Sequence, residues 1–430
     1  MIFSHPLMRQ RQLFWLRSLA LLVILGSFIV SCSSSNEQAN SHPTTGIAGV
    51  RRFGDTWNNI HLFQTFDYNI SNQTTIAKRY DFVWGARLKN ITAWRSGNPN
   101  IFLSYYLPFH REQGTFSGAK FLNSSQEHDL DYWKATHPDW ILYQCDRTTP
   151  AYEFGDPNIP LDFANPNVIS WQVETYAQPA STNGYDGIAA DNVSMQNQFG
   201  ACGSYKNGQW VQRYSGQSKD AQWRADIVNW LKQMQQALHQ LKHPLTLISN
   251  LSFTSDLAND PEVNRAISYS DGVLDEGGFT HYGSNDLSEQ DWLQKNQFIE
   301  KVQKQQKAYY LIEELPSTDH AELQWALASY LIGKGRMTAL FISGIDDYGD
   351  EHWYSEYNAQ IGSPKGSMYR MQNIYARDYS HGLSIVNPST TETYTVTFNS
   401  GISYMDLYGN AIGQIIEMPP HSGMILLTHS

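Results

Sequence analysis

The chain has 430 residues, of which 41% are hydrophobic, 13% aromatic and 17% charged, enough for one large domain or two or three ordinary ones. So many rings and so little charge exclude a disordered chain, and a net charge of −11 excludes the clustered basic surface that a nucleic-acid backbone requires. Three cysteines are too few for a disulfide scaffold.

Residues 1–31 read as an export signal. Arg9, Arg11 and Arg17 are followed by an apolar run over 19–30 and then by Ser31-Cys32, the basic start, short apolar core and small residue of a cleaved leader. Cys32 resembles the lipobox cysteine of bacterial lipoproteins, which is acylated and becomes the new N-terminus. An uncleaved membrane anchor over 13–30 is the alternative. Both readings tether a soluble body to a membrane of the bacterial cell envelope, on a periplasmic or extracellular face. Loss of the leader's three arginines moves the net charge from −11 to −14. Residues 32–46, rich in Ser, Asn and Thr, read as a flexible tether. Cys145 and Cys202 then remain; an exported compartment permits a bond between them, and two separate buried thiols are the other reading.

From residue 47, β-rich runs alternate with helical ones. The strand candidates are 60–66, 80–85, 100–107, 185–191, 244–250, 271–276, 308–313 and 337–342. Residues 220–242 place Trp223, Ile227, Trp230, Leu231, Met234, Leu238 and Leu241 on one helical face. A second helix opens at Ser288, and a third runs over 319–332 until Gly333. This alternation predicts an α/β fold, a closed (β/α)8 TIM barrel over 47–379. An open doubly wound sheet is the alternative, but no Gly-rich phosphate turn follows an early strand. A long insertion at 108–184 is rich in Trp, Tyr, Asp and Pro. Residues 380–430 switch to short strands between Asn-Pro, Asn-Ser-Gly and Met-Pro-Pro turns, which predicts a small C-terminal antiparallel β-sandwich domain.

Two barrel strands share a pattern. Asp186-Gly187-Ile188-Ala189-Ala190-Asp191 and Asp271-Gly272-Val273-Leu274-Asp275-Glu276 both run from Asp-Gly to a terminal carboxylate. Strand alternation puts Gly187, Ala189 and Asp191 on one face, and Gly272, Leu274 and Glu276 on another. If those faces are the lumen, Asp191 and Glu276 meet at the C-terminal rim, where barrel enzymes hold their chemistry. Two facing carboxylates suit glycosidic cleavage: one protonates the leaving oxygen, the other attacks the sugar or activates water.

Other rim candidates are binding groups. Glu313 and Glu314 close the seventh strand, one able to act as acid or to bind sugar while the other caps a helix. Asn192 and Asn250 can hydrogen-bond hydroxyls. Trp84, Tyr105, Tyr106 and His110 end the second and third strands, where rings either stack on sugar or fill the core. Asp162 is a polar residue in an otherwise packed segment. His281 and Tyr282 follow Glu276, and Asp346-Asp347-Tyr348 and His352-Trp353-Tyr354 form an acidic, aromatic loop after the eighth strand.

The order of these features resembles the barrel glycoside hydrolases, specifically hypothetical glycosyl hydrolase family fifteen. The matching pieces are Tyr80-Asp81-Phe82-Val83-Trp84-Gly85, Leu103-Ser104-Tyr105-Tyr106-Leu107, Leu161-Asp162-Phe163-Ala164-Asn165-Pro166 before Trp171, and the two Asp-Gly strands. The resemblance spans about 50–430 and implies a barrel glycosidase acting on a poly- or oligosaccharide without a cofactor. The chain is also similar to retaining barrel enzymes with an Asp nucleophile on strand four and an acid on strand five or six. By that analogy Asp191 is the nucleophile and Glu276 the acid/base. The clan with catalytic Glu on strands four and seven has Asn-Glu at the fourth-strand acid; here Ala189-Ala190 precedes Asp191, which disfavours Glu313 as partner.

Two rival readings stand beside this one. A non-catalytic carbohydrate-binding envelope lipoprotein keeps the aromatic rim without needing the acid pair. A metal-dependent hydrolase needs ligand spacings such as HxH or HExxH, which the 14 histidines do not form, so no metal is expected.

Overall fold

The computed structural model describes residues 60–112, 128–155, 158–251, 258–315 and 320–428. In it eight strands pair in parallel in chain order: β1 (Phe63–Thr65), β2 (Phe82–Trp84), β3 (Phe102–Pro108), β4 (Gly187–Asp191), β5 (Thr246–Asn250), β6 (Gly272–Asp275), β7 (Ala308–Leu315) and β8 (Thr338–Gly344). A parallel bridge between Leu62 and Leu340, with the Leu340 N–H donating to the His61 carbonyl over 2.9 Å, joins the last strand to the first. The sheet is thus a closed barrel, and each strand falls within or overlaps one of the eight predicted runs. The expected leader, the tether and Cys32 lie outside the described residues.

Period-two alternation sorts the strand residues into two layers. Phe63, Phe82, Phe102, Ala189, Ile248, Leu274, Tyr310 and Phe341 fill the lumen. Ile188, Leu247, Val273, Tyr309, Leu311 and Leu340 face outward into the larger core shared with the helices. Rings dominate the lumen: the Phe82 centroid lies 4.6 Å from Tyr310 and 5.4 Å from Phe102. Such bulk needs a small neighbour. A Cβ on Gly187 would sit 3.0 Å from the Phe102 ring and 2.8 Å from the Thr246 carbonyl oxygen.

The Asp-Gly repeat has a structural half. Asp186 accepts the N–H of Leu103 on β3 over 2.8 Å and the Arg95 guanidinium. Asp271 accepts the N–H of Leu247 on β5 over 2.9 Å, with Gln235 and His239 on its other sides. Each satisfies a donor of the preceding strand at the end of the barrel opposite the site. The repeat therefore carries a strand anchor at one end and a site carboxylate at the other.

Three helices occur where the apolar stripes predict them. α1 (Ala221–His239) is capped by Asp220, which accepts the Trp223 N–H over 2.8 Å. α2 (Glu289–Lys304) is capped by Ser288, which accepts the Asp291 N–H over 3.1 Å. α3 (His320–Gly333) is buried on nearly every side.

The insertion after β3 builds its own small core from Trp133, Trp140, Ile141, Tyr143, Ile159, Leu161 and Val168. Trp133 packs 5.6 Å from Trp140 and edge-on to Trp171 at 5.1 Å, so these rings are packing rather than surface. Tyr143–Gln144 pairs with Ala201–Lys206 in the loop after β4, and Cys145 and Cys202 are disulfide-bonded beside that pairing.

The C-terminal strands are β9 (Tyr369–Met371), β10 (Ile374–Tyr379), β11 (Gly382–Asn387), β12 (Tyr394–Thr397), β13 (Tyr404–Met405), β14 (Ala411–Ile412), β15 (Ile415–Met418) and β16 (Ser422–Thr428). Six form an antiparallel sheet in the order β9-β10-β11-β16-β13-β14, and the β12–β15 ribbon covers one face through Val396, Phe398 and Met418. The sheet takes in 369–379, so it begins before the 380 boundary expected from turn density; β9 and β10 are joined by a tight turn without Pro or Gly.

The other face of the sheet lies on α3, which explains why that helix is apolar all round. Ser384 donates to the Ala328 carbonyl over 2.9 Å. Arg377 donates to the carbonyls of Leu331, Ile332 and Lys334 at 3.2, 3.1 and 2.6 Å, satisfying acceptors at the helix C-terminus. Gly423 lets the surfaces meet: a Cβ there would lie 2.7 Å from that of Ala328 and 3.0 Å from the Gln324 carbonyl oxygen. Gly423→Val should therefore lower stability by about 1–3 kcal/mol through overpacking, read as a fall in the urea midpoint with unchanged m-value.

Candidate active site

Because β4 and β6 enter the lumen in matching phase, their last inward groups converge at the C-terminal rim. Asp191 ends β4, and Glu276 follows β6 by one residue. Between them stands Asn250, the last residue of β5 and buried. Its amide nitrogen donates to Asp191 Oδ1 over 2.7 Å and to Glu276 Oε2 over 3.0 Å. Two oxygens sharing one nitrogen at those distances lie within about 6 Å of each other, the range in which two carboxyls can act on one glycosidic centre.

Each carboxylate has further donors. Asp191 Oδ2 accepts the Tyr106 hydroxyl at 2.6 Å and the Asn192 amide at 2.9 Å; Asn192 reaches back from a left-handed backbone with φ 59°. Glu276 Oε1 accepts the Tyr348 hydroxyl at 3.0 Å. Burial and then the adjacent carboxylate push the Tyr106 hydroxyl well above its ordinary pKa, and the same pair of causes does so for Tyr348. Both phenols are thus fixed as donors.

Electrostatics separate the acids. Glu276 is pushed up to about 7, first by burial and then by the Asp191 charge. Glu314 also rises to about 7, by burial and then by Glu276. With Tyr310 and Ile312 in the lumen, alternation points Glu314 inward as a third carboxyl of the rim. Near Tyr106, the buried Arg111 donates to Glu153 Oε2 over 2.6 Å. Glu153 is raised to about 7 by burial, with Arg111 opposing and Asp191 adding to the shift.

Tyr106, Asn192 and Asn250, chosen as sugar-binding groups, thus hydrogen-bond the two carboxylates themselves. Several other candidates are placed elsewhere. Glu313 faces away from the lumen and accepts the N–H groups of Phe279 and Thr280 at 2.8 and 2.9 Å, so it anchors the loop after β6. Tyr105 has the same outward parity and packs against Tyr185 at 5.5 Å. Trp84 is a lumen ring, 2% exposed. His110 is buried against Phe109 and Trp223, and burial followed by Arg111 lowers it to about 3. Asp162 accepts the Lys206 ammonium, from the loop after β4, over 3.0 Å. His281 is exposed and paired with Asp286, and the Tyr282 ring lies over Gly277 beside Glu276. Trp353 stands in the loop after β8, where Arg79 covers its ring at 4.7 Å. Among the described residues no three His, Cys, Asp or Glu side chains group as metal ligands.

Arg111 and Glu153 are site residues that the sequence does not single out, because their contacts cross from one loop to another. Glu314 and Tyr348 stand among the rim candidates, and the phase of β7 distinguishes Glu314 from Glu313.

A family profile described as hypothetical glycosyl hydrolase family 15 matches residues 95–383, well over half of the chain and including both Asp191 and Glu276. The chain belongs to this family. The match starts after β2, so β1 and β2 lie outside it, and it ends within β11. No curated protein matches the chain. Solved structures similar to this hypothetical glycosyl hydrolase include an alpha-amylase from Malbranchea cinnamomea (11% identity, covering 83% of this chain and 87% of that one, TM-score 0.42). Another is an alpha-amylase from Geobacillus thermoleovorans (9%, 88% and 99%, 0.46). A GH36 alpha-galactosidase from Geobacillus stearothermophilus gives 10%, 86% and 56%, with a TM-score of 0.43.

The Asp191 charge helps hold the Glu276 proton, which has a direct consequence. Asp191→Asn should lower the Glu276 pKa from about 7 toward, but not to, the 4.5 of a free glutamate, because burial remains. Carbon-13 NMR titration of the labelled side-chain carboxyl reads this shift.

Proposed function

We propose that this family member is a retaining glycoside hydrolase of poly- or oligosaccharides, with Asp191 as nucleophile and Glu276 as general acid and then base. The observation that carries the reading is the Asn250 amide spanning both carboxylates. The two oxygens it joins lie within about 6 Å, close enough for one group to attack the anomeric carbon while the other protonates the leaving oxygen, which favours retention.

In the first step protonated Glu276 gives its proton to the glycosidic oxygen as that bond breaks. An oxygen of ionised Asp191 attacks the anomeric carbon, forming a glycosyl ester. In the second step ionised Glu276 takes a proton from water, which attacks the same carbon and releases Asp191. The net change is one glycosidic bond exchanged for water. Tyr106 and Asn192 donate to one oxygen of Asp191 and Asn250 to the other, which holds and aims the carboxylate. A pKa near 7 suits Glu276 to both roles.

Asp191→Asn and Glu276→Gln should each reduce kcat by about 10²–10⁴-fold or more with little change in melting temperature. Proton NMR of fresh product should show the anomer of the substrate. Product of opposite anomeric form would overturn the retaining assignment, and full activity in either variant would overturn the pair. The sign of the pH dependence follows from Glu276: the proton it must donate is present below about 7 and lost above it, so kcat/KM should fall on the alkaline side. Carbohydrate binding without turnover in the wild type would favour the non-catalytic reading instead.

We also propose that the protein is a lipid-anchored envelope protein, with Cys32 as the acylated residue. The basic and apolar leader supports this, as does the Cys145–Cys202 disulfide, which belongs to an oxidising compartment. Labelled palmitate should enter the wild type in a bacterial host and not Cys32→Ala; equal labelling of both would refute it.

A further inference from the structure

The rings best placed by sequence to stack on sugar are buried: Trp84, Tyr105 and Tyr106 are 2%, 5% and 4% exposed. Phe154 is different. It lies in the insertion after β3, is 46% exposed, and has a left-handed backbone with φ 57°. A bulky residue rarely adopts that conformation, and Gly155 follows it at φ 91°. The neighbours explain how the geometry is held. Glu153 is locked into the buried ion pair with Arg111, whose guanidinium carbon lies 5.5 Å from the Phe154 ring centroid. Phe199, from the loop after β4, meets the same ring edge-on at 5.4 Å. The ring is therefore held by the two loops that flank β4 while remaining about half exposed.

Its position follows from what lies beneath. Arg111 and Glu153 are both within electrostatic reach of Asp191 and Tyr106. Phe154 thus caps the Arg111–Glu153 pair that adjoins Asp191 and Tyr106. A rigid, half-exposed phenyl ring at the rim offers a flat apolar surface at little entropic cost. A pyranose ring has the complementary shape, with axial C–H groups on one face and hydroxyls around its edge.

We infer that Phe154 is the stacking platform of an outer subsite, taking the pyranose unit next to the one held by Asp191 and Glu276. This rests on the carbohydrate-directed reading above but not on catalysis. The test uses the full-length protein and an array of hexasaccharides built from α- and β-linked hexoses and amino sugars. For a hexasaccharide bound by the wild type, Phe154→Ala should raise Kd by about tenfold in calorimetry, whereas Phe154→Trp should retain binding. In turnover, the ratio of kcat/KM for that hexasaccharide to kcat/KM for the 4-nitrophenyl glycoside of its repeating sugar should fall about tenfold in Phe154→Ala. An unchanged Kd overturns the subsite, as does failure of the wild type to bind any hexasaccharide. So does a parallel loss on both substrates with a lowered melting temperature, which would make the ring a prop for the Arg111–Glu153 pair. Phe154-dependent binding without hydrolysis would leave the subsite standing and remove the glycosidase reading.

Discussion

Eight parallel strands closed on themselves leave each side chain only two directions, and the phase of each strand decides which groups meet. At the rim, β4 and β6 arrive in the phase that turns Asp191 and Glu276 inward, and β5 arrives in the phase that places Asn250 between them. One residue of slip in any of the three would send its polar group into the helical layer. The closing contact between Leu62 and Leu340 and the Asp186 and Asp271 anchors guard against such slip at the far end. The rings that fill the lumen form a dry floor, and that floor makes the rim carboxyls hard to ionise together.

The two carboxyls are alike in chemistry and unlike in surroundings. Asp191 accepts three hydrogen bonds, from Tyr106, Asn192 and Asn250, all of which stabilise an anion. Glu276 accepts two and faces the charge of its neighbour, which together with burial raises it. Surroundings therefore separate their roles more than residue type does. Glu314 adds a third acid raised to about 7, first by burial and then by Glu276, so these two acids ionise less readily than free glutamates.

Much of this was legible in the sequence because its causes are local. Strand alternation, the caps at Asp220 and Ser288, and the paired Asp-Gly strands each need only a few neighbouring residues. The errors came where phase was not carried through. Glu313 and Tyr105 were chosen by type, although counting from Tyr310 and Tyr106 turns both outward. Asp162 and His110 had another obstacle: their partners, Lys206 and Trp223, are far along the chain. Tyr348 likewise reaches Glu276 from a loop whose path no local pattern specifies. The Trp content of the insertion has a packing cause: Trp133, Trp140 and Trp171 are what a segment without a large sheet uses to make a core.

The placement of α3 bears on how the chain can be divided. A helix that is apolar on all sides needs two partners, and here the barrel supplies one and the C-terminal sheet the other. The sheet is thus the missing wall of the barrel's own helical layer rather than an accessory joined by a linker. A chain in which β16 has not yet been made holds a barrel with a bare hydrophobic flank, so the barrel's helical layer is completed only when the sheet that follows it has formed.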